Sequence, residues 1–288
     1  MKILVLGASG MIGSAMFRVL SERQDWSVFG SLRYSDSKQF FSPVAAIKLL
    51  TNADTTQSDE LLHLFSQVHP DVVINCIGLT KHRKEINDPL QAIPVNAIFP
   101  HRLAKLCSSS NARLIHVSTD CVFSGRRGAY SENDEADATD LYGKTKFLGE
   151  VIGSNSITLR TSTIGHELQS QFGLLDWFLA QKGSCKGYRG AIFSGLPSTI
   201  FAEIVRDIVI PRPDLFGLYH VGASPINKFE LLCLISDIYG KVINIDADDQ
   251  FKINRSLNST RFSSATGYVA PAWPELLKSM CAYKTGNS

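Results

Sequence analysis

Seven residues, GASGMIG at positions 7–13, stand directly between a short apolar run and a helix-like segment. The run before them, KILVL at 2–6, is continuous and partly β-branched, the pattern of a strand covered on both faces. The segment after them, SAMFRVLS at 14–21, carries apolar residues at helical spacing. Strand, glycine turn and helix in that order leave backbone N–H groups facing outward at a helix N-terminus, where the helix dipole favours an anion such as a diphosphate. Gly7 permits the tight turn, Gly10 a close approach of phosphate, and Gly13 close packing of helix on strand. Ser9, Met11 and Ile12 complete the cradle. In this setting the turn predicts a bound dinucleotide.

The chain's 288 residues allow a large core and favour two lobes over one. Hydrophobic residues at 44% and charged ones at 19% are ordinary for a soluble globular protein. A formal net charge of +2 gives no basis for a nucleic-acid or membrane partner. The six cysteines (Cys76, Cys107, Cys121, Cys185, Cys233, Cys281) form no CxxC and no metal-like spacing, which implies reduced thiols in a cytoplasmic protein. Lys2 and the following run are too short, and too soon interrupted by glycine, to read as a secretory signal. No stretch approaches the roughly eighteen apolar residues of a membrane-spanning helix, and there is no internal repeat.

Downstream, strand-like runs alternate with helical ones, which argues for parallel βαβ units. Residues 26–32 read as a second strand that ends on Arg33 with no acidic residue. An acidic side chain there holds the ribose of NAD, whereas a cation suits the 2′-phosphate of NADP, so the pattern favours NADP(H), with NAD(H) the alternative. A third strand is expected at 45–50, with Asp54 on the adenine side, and a helix at 58–68. The fourth strand, 71–77, runs into Gly78, where cofactor can approach the backbone beside Cys76 and Ile77. One long helix over 88–107, broken or started at Pro94, carries Asn96, and a fifth strand covers 113–118.

Ser118-Thr119-Asp120 closes that strand at the end where α/β sheets bind ligands. A polar loop leads to LYGKTKFLGE at 141–150, which Asp140 suits as an N-cap. On this helix Tyr142 and Lys146 are four apart and share a face, while Lys144 projects from nearly the opposite side. A phenol of pKa near 10 is a poor proton relay at neutral pH, and a neighbouring ammonium lowers that value. Tyr142 can then protonate a carbonyl oxygen as hydride reaches its carbon, Thr119 can hold the same oxygen, and Lys146 can reach the nicotinamide ribose.

The GxxGxxG spacing resembles the extended branch of the short-chain dehydrogenase/reductase superfamily. GASGMIG, VINCIGLT, PVNA (94–97), HVSTDCVFSG (116–125), AYSEND (129–134) and LYGKTKFLGE together resemble the dTDP-4-dehydrorhamnose reductase family. The likeness continues through ITLRTSTIG (157–165), GLYHVGA (217–223) and NRSLNSTRF (254–262). It implies a Rossmann-type doubly wound parallel sheet with a smaller, discontinuous C-terminal substrate lobe. Residues 1–160 would bind NADP, segments near 191–222 would pack back onto that lobe, and 161–288 would bind substrate. The family's catalytic Thr, Tyr and Lys fall on Thr119, Tyr142 and Lys146. The implied activity is NADPH-dependent reduction of the C4 ketone of a nucleotide-linked 4-keto-6-deoxy sugar, for polysaccharide or O-antigen precursors.

Thr80, Thr119, Arg189 and Arg255 are the substrate-side candidates, the arginines for a diphosphate. Cys121 stands where an aromatic is common, and Asp120 is not followed by the Glu of related 4,6-dehydratases, which argues for reduction over elimination. Asp120 itself reads equally well as a turn cap. Trp177 and Phe172 read as core residues before pocket linings, and the seven histidines show no ligand spacing, so no metal is expected. Helices are expected at 174–180, 199–209 and 227–239 and strands at 157–160 and 217–221. Two rival readings are a nucleotide-sugar epimerase and a non-catalytic regulatory subunit such as the related beta subunit of methionine adenosyltransferase. A homodimer, the particular sugar and its nucleotide stay open.

Overall fold

The computed structural model describes residues 1–51, 54, 57–81 and 83–286. Its first half alternates β1 (Lys2–Leu6), α1 (Met11–Ser21), β2 (Ser27–Ser31), α2 (Pro43–Ala46), β3 (Leu49–Leu50), α3 (Ser58–Val68) and β4 (Val72–Asn75). There follow α4 (Pro89–Ala92), α5 (Phe99–Ser109), β5 (Arg113–Thr119), α6 (Leu141–Leu148) and β6 (Ser156–Thr161). The second half holds β7 (Thr163–Ile164), α7 (Leu174–Ala180), β8 (Ser184–Phe193), β9 (Leu196–Pro197), α8 (Ser198–Ile204), β10 (Gly217–His220) and β11 (Ile226–Asn227). It ends with α9 (Lys228–Tyr239), β12 (Asn244–Asn254), α10 (Thr260–Thr266) and α11 (Trp273–Gly286).

Seven strands form one parallel sheet in the order β10-β6-β5-β4-β1-β2-β3. This is the Rossmann-type α/β fold. Alternate residues of the central strands enter two cores. Ile3, Val5, Ile74, Ile115 and Ile157 meet α1 and Phe201 on one face, while Leu4, Leu6, Val73 and Leu114 meet α3 and α5 on the other. Burial on both faces is why these strands read as unbroken apolar runs. The order reverses between β1 and β4, so the crevice for a ligand opens at the glycine turn.

The chain crosses back after β6. Helix α8 packs against α1, and its π-helical continuation Val205–Val209 is gripped by the sheet's Arg113. That guanidinium donates to Val209 O (2.6 Å) and Leu215 O (2.7 Å), using carbonyls that a helix end leaves free. Beyond the main sheet, β8 pairs antiparallel with β11 and parallel with β12.

Local chemistry shifts several expected boundaries. Residues 45–50 are mostly not a strand: Pro43 and the Ser42 side chain, which accepts from Ala45 N (3.3 Å), start α2, leaving β3 two residues. The fourth strand stops at Asn75, whose side chain catches Ile77 N (3.0 Å) and bends the chain out of the sheet. Pro94 does not break the long helix. The missing N–H is absorbed by a π-helical stretch, Ile93–Ile98, that joins α4 to α5. The ten-residue β8 and eleven-residue β12 have no counterpart in the sequence reading.

Behind the main sheet a buried network runs from Ser118 to Tyr130. Ser118 Oγ donates to Glu150 Oε1 (2.7 Å), and Arg160 makes a two-pronged pair with Glu150 (2.7 Å on each side). Arg160 also donates to His220 Nε2 (3.2 Å), whose Nδ1–H donates to Tyr130 O (3.0 Å). Burial, and then the Arg160 charge, push His220 down to about 3. His116 is likewise fully buried and held well below its ordinary value, with Nδ1 accepting from Asn75 Nδ2 (3.1 Å) and Nε2 unpartnered among the described residues. Both histidines bind protons more readily unfolded, so their contribution is present above about pH 6.5 and is lost as pH falls toward 3. The melting temperature is expected to fall steadily between pH 6.5 and pH 4, and His220→Asn to flatten that slope. A slope unchanged in the variant would refute the assignment.

Candidate active site

The glycine turn is built as a phosphate cradle requires. Gly7 has φ of +80°, open to glycine at no steric cost, and lies against the end of β4 near Ile77 and Cys76. A Cβ on Gly13 would lie 2.0 Å from Gly7 O, so only hydrogen lets α1 sit on the turn. Around Gly10 the nearest atom to a built Cβ is Gly7 O at 3.6 Å, which leaves that side open. No side chain caps the first turn of α1, so the N–H groups after Gly10 face an approaching anion. Ser9, Met11 and Ile12 lie on this turn, and the loop after β7 passes close by, with Gly165 near Met11 Cγ.

Exposed Arg33 stands beyond β2, at the start of the segment leading to a short 3-10 turn, Ser35–Phe40. Within that turn the buried Ser37 accepts from Gln169 Nε2 (2.7 Å), which ties the second half of the chain to this edge. The loop carrying Gln169 is anchored at His166, between Asp176 (3.2 Å) and the Tyr239 hydroxyl (3.1 Å). Asp54 accepts through its backbone carbonyl from Gln57 N (2.8 Å), just ahead of α3. Phe172 and Trp177 of this region are respectively exposed and at the edge of exposure, not core.

Cys76, Ile77 and Gly78 leave β4 beside the turn. Asn96, 1% exposed, holds the following loop: its Oδ1 accepts from Leu79 N (2.9 Å), and its Nδ2 donates to Leu79 O (3.1 Å) and Thr145 Oγ1 (3.3 Å). Its amide is thus engaged in joining the loop to α6. Thr80 is exposed at the loop's far end.

Asp140 caps α6 by accepting from Gly143 N (2.8 Å), which starts the helix so that Tyr142 and Lys146 face β5. Lys146 is 5% exposed, and its Nζ donates to Val117 O (2.9 Å), two residues before Thr119. A Cβ on Gly78 would lie 3.9 Å from that Nζ, so a ligand resting on Gly78 comes within reach of the ammonium. Burial pulls Lys146 down to about 8, against the opposing charges of Glu150 and Cys76. Burial also pushes the Tyr142 phenol well above its ordinary value, and nearby Cys121 adds to this, while the Thr119 hydroxyl pulls the other way. The start of α6 abuts the turn after β5, where a Cβ on Gly143 would lie 2.2 Å from Cys121 O, and this sets Tyr142 near Thr119. The sequence reading had the ammonium lowering the phenol's pKa; in the folded chain desolvation dominates, and the group that pulls the phenol down is the Thr119 hydroxyl instead of the Lys146 ammonium.

Thr119 Oγ1 donates to Asp120 Oδ1 (3.1 Å) and accepts from Cys121 N (3.1 Å). Burial raises the Asp120 carboxyl, and Arg255 and Lys228 oppose the rise. Arg255 reaches this point from the end of β12, its Nε donating to Phe123 O (2.8 Å). Arg189 stands apart on the exposed part of β8, beside Asp249 (3.6 Å) and over the Phe229 ring (5.0 Å). Two cations at the mouth escaped the sequence reading. Lys81 pairs with Asp140 (2.8 Å) and lies 5.6 Å from the Tyr142 ring centroid, and Lys228 comes from the start of α9. Neither sits in a motif, and only tertiary packing places them. Among the described residues no cluster of three metal-ligating side chains forms, and no helix is long and apolar enough to cross a membrane.

A parallel sheet that turns at a glycine cradle, with Thr, Tyr and Lys gathered at its carboxyl edge, defines a short-chain dehydrogenase/reductase of the extended type. The chain belongs to the RmlD substrate binding domain family, whose model matches residues 1–175. It is 25% identical to the dTDP-4-dehydrorhamnose reductase of Aggregatibacter actinomycetemcomitans, over 98% of this chain and 99% of that one. It is 26% identical to methionine adenosyltransferase 2 subunit beta of Xenopus laevis, over 83% of this chain and 72% of that protein. In fold it is similar to the dTDP-4-dehydrorhamnose reductase of Bacillus anthracis in complex with NADP (TM-score 0.80, 17% identity, 98% of each chain covered).

Proposed function

We propose that this protein is an NADP(H)-dependent reductase that converts the C4 ketone of a nucleotide-linked 4-keto-6-deoxy sugar to an alcohol. The observation that carries the reading is the packing of α6 onto the turn after β5, which sets Tyr142 near Thr119 and one helical turn from buried Lys146, beside an uncapped glycine cradle. The cradle fits a dinucleotide: Gly10 leaves the approach open, and the α1 N-terminus offers donors for a diphosphate. Arg33 supplies the cation suited to a 2′-phosphate. In this reading residues 1–160, with the returning α8 and β10, hold the cofactor, and the β8–β11–β12 sheet with α9 holds the sugar.

Bound NADPH supplies a hydride for the ketone carbon. Thr119, whose one hydroxyl proton rests on Asp120 Oδ1 in the free site, turns it to the ketone oxygen and fixes that oxygen's direction. Tyr142, kept neutral by burial, is the proton donor to that oxygen as negative charge develops on it. Lys146, charged below about pH 8, stabilises the phenolate left behind and holds ribose hydroxyls. Thr119 and Lys146 are both under a tenth exposed, which limits the water around them. By likeness to the rhamnose-pathway relatives, the product serves as a precursor for polysaccharide or O-antigen.

The test is NADPH oxidation by the purified chain with UDP-, dTDP- and GDP-linked 4-keto-6-deoxy sugars. Ketone-dependent oxidation with one of them is expected. A chain that oxidises no NADPH with any ketone, and copurifies with a larger enzyme, would overturn the proposal in favour of a regulatory subunit, as the likeness to the adenosyltransferase subunit suggests. Return of the substrate's own hydride would identify an epimerase instead.

A further inference from the structure

Lys228 is the first residue of α9, whose cap Asn227 accepts from Glu230 N (2.8 Å). Pairing of β11 with β8 sets Ile226 opposite Phe193, and the Lys228 ammonium lies 4.7 Å from the Phe193 ring centroid. The end of β8 is fastened to the catalytic edge of the main sheet. Leu196 N donates to Ser162 O (2.9 Å), and Ser162 follows Thr161, the residue paired with Thr119. The joint is tight: a Cβ on Gly195 would lie 2.1 Å from Ser162 O and 2.5 Å from Phe193 Cζ. Lys228 is thereby held near the turn that follows Thr119, with Asp120 and Cys121 as the groups that favour its charge.

Beyond the Phe193 ring and the nearby Asp120 charge, its ammonium has no protein group among the described residues to donate to. Among the described residues it makes no hydrogen bond and forms no direct ion pair with Asp120. Arg255, the other cation beside Asp120, is already engaged by Phe123 O. Lys228 is half-buried and its ammonium is not sealed away from solvent, so water serves it in the free chain and the oxygen atoms of a ligand can take the water's place. An aromatic floor beneath a charged donor is also a common way to grip a sugar, since the ring packs against C–H groups while the charge takes a hydroxyl.

We propose that Lys228 is a substrate-binding residue whose ammonium donates to a sugar oxygen on the carbon next to the keto carbon, so that the ketone is presented to Tyr142 and Thr119. The assignment rests on the reductase reading above. It makes Lys228 and Lys146 a pair with separate duties, one gripping the sugar from the second lobe and the other serving the phenol and the ribose.

The test uses the full chain, its preferred keto sugar, and the variants Lys228→Met and Lys228→Arg. The Met variant is expected to raise KM for the nucleotide sugar about 10- to 100-fold, the range for a lost charge-assisted hydrogen bond. Its kcat should fall much less, and its NADPH affinity and melting temperature should stay near those of the parent. Lys228→Arg should recover most of the loss. An unchanged KM in Lys228→Met, with the parent active, removes this inference and leaves the reductase reading standing. A rise in KM matched by weaker NADPH binding and a lower melting temperature would also remove it, by making the lysine a structural member. A parent inactive on every ketone would remove both.

Discussion

Tyr142→Phe is expected to lower kcat by about a hundred- to ten-thousand-fold, the span typical of a lost general acid. NADPH affinity, read by fluorescence quenching, should barely change. The substitution removes one oxygen and leaves the ring packed where Lys81 overlies it at 5.6 Å. Because burial keeps the phenol neutral far above physiological pH, loss of its own proton does not set the upper limit of activity. Lys146 sets it: pulled down to about 8, the ammonium is discharged as pH rises through that value, and kcat should decline there. Stability runs the other way. The unfolded chain holds that proton up to about pH 10.4, so this lysine's burial penalty is relieved, not increased, between about pH 8 and pH 10.4. A Phe variant that retains parental turnover would remove Tyr142 from the mechanism.

Arg160→Met is expected to lower stability by about 3–5 kcal/mol, since it strands Glu150 as a buried charge. The side chains of the pair are only 3% and 5% exposed, so water cannot take over the lost partner. Thermal unfolding should show a drop of about 5–8 degrees for a chain of this size. Replacing Glu150 by Gln as well should restore much of the loss, because the uncompensated charge, more than the absent contact, is the damaging element. Glu150→Gln alone carries a second readout. Its carboxylate is the first group supporting the Lys146 charge, so the alkaline limb of the kcat profile should move to lower pH. A single Arg160 variant that melts with the parent would show that the network contributes little.

The first 160 residues were readable because their signals are local. KILVL before a glycine turn, and an Asp140 cap ahead of Tyr142 and Lys146, are patterns whose meaning depends on neighbours within one turn of helix or strand. The errors there were local as well. At 45–50 the Ser42–Pro43 start of a helical turn won over an apolar run. At Pro94 the helix changed its hydrogen-bond period instead of ending. Past Thr161 legibility fell, for a different reason. β12 is polar and mostly exposed, and pairs with a strand some sixty residues earlier, so neither strand announces its partner. Arg189 and Arg255 looked equivalent in the sequence, yet only Arg255 ends beside Asp120.

Periodicity and spacing by themselves determined the parallel βαβ sheet, the glycine cradle, and the choice of Lys146 over Lys144, since each follows from which face of a strand or helix a residue must occupy. Tertiary structure alone decided the electrical state of the site. Desolvation raises Tyr142 and lowers Lys146, and Asp120, Arg255 and Lys228 converge from three distant segments. Burial and long-range charge depend on what the rest of the chain brings to a point, and no short stretch of sequence carries that information.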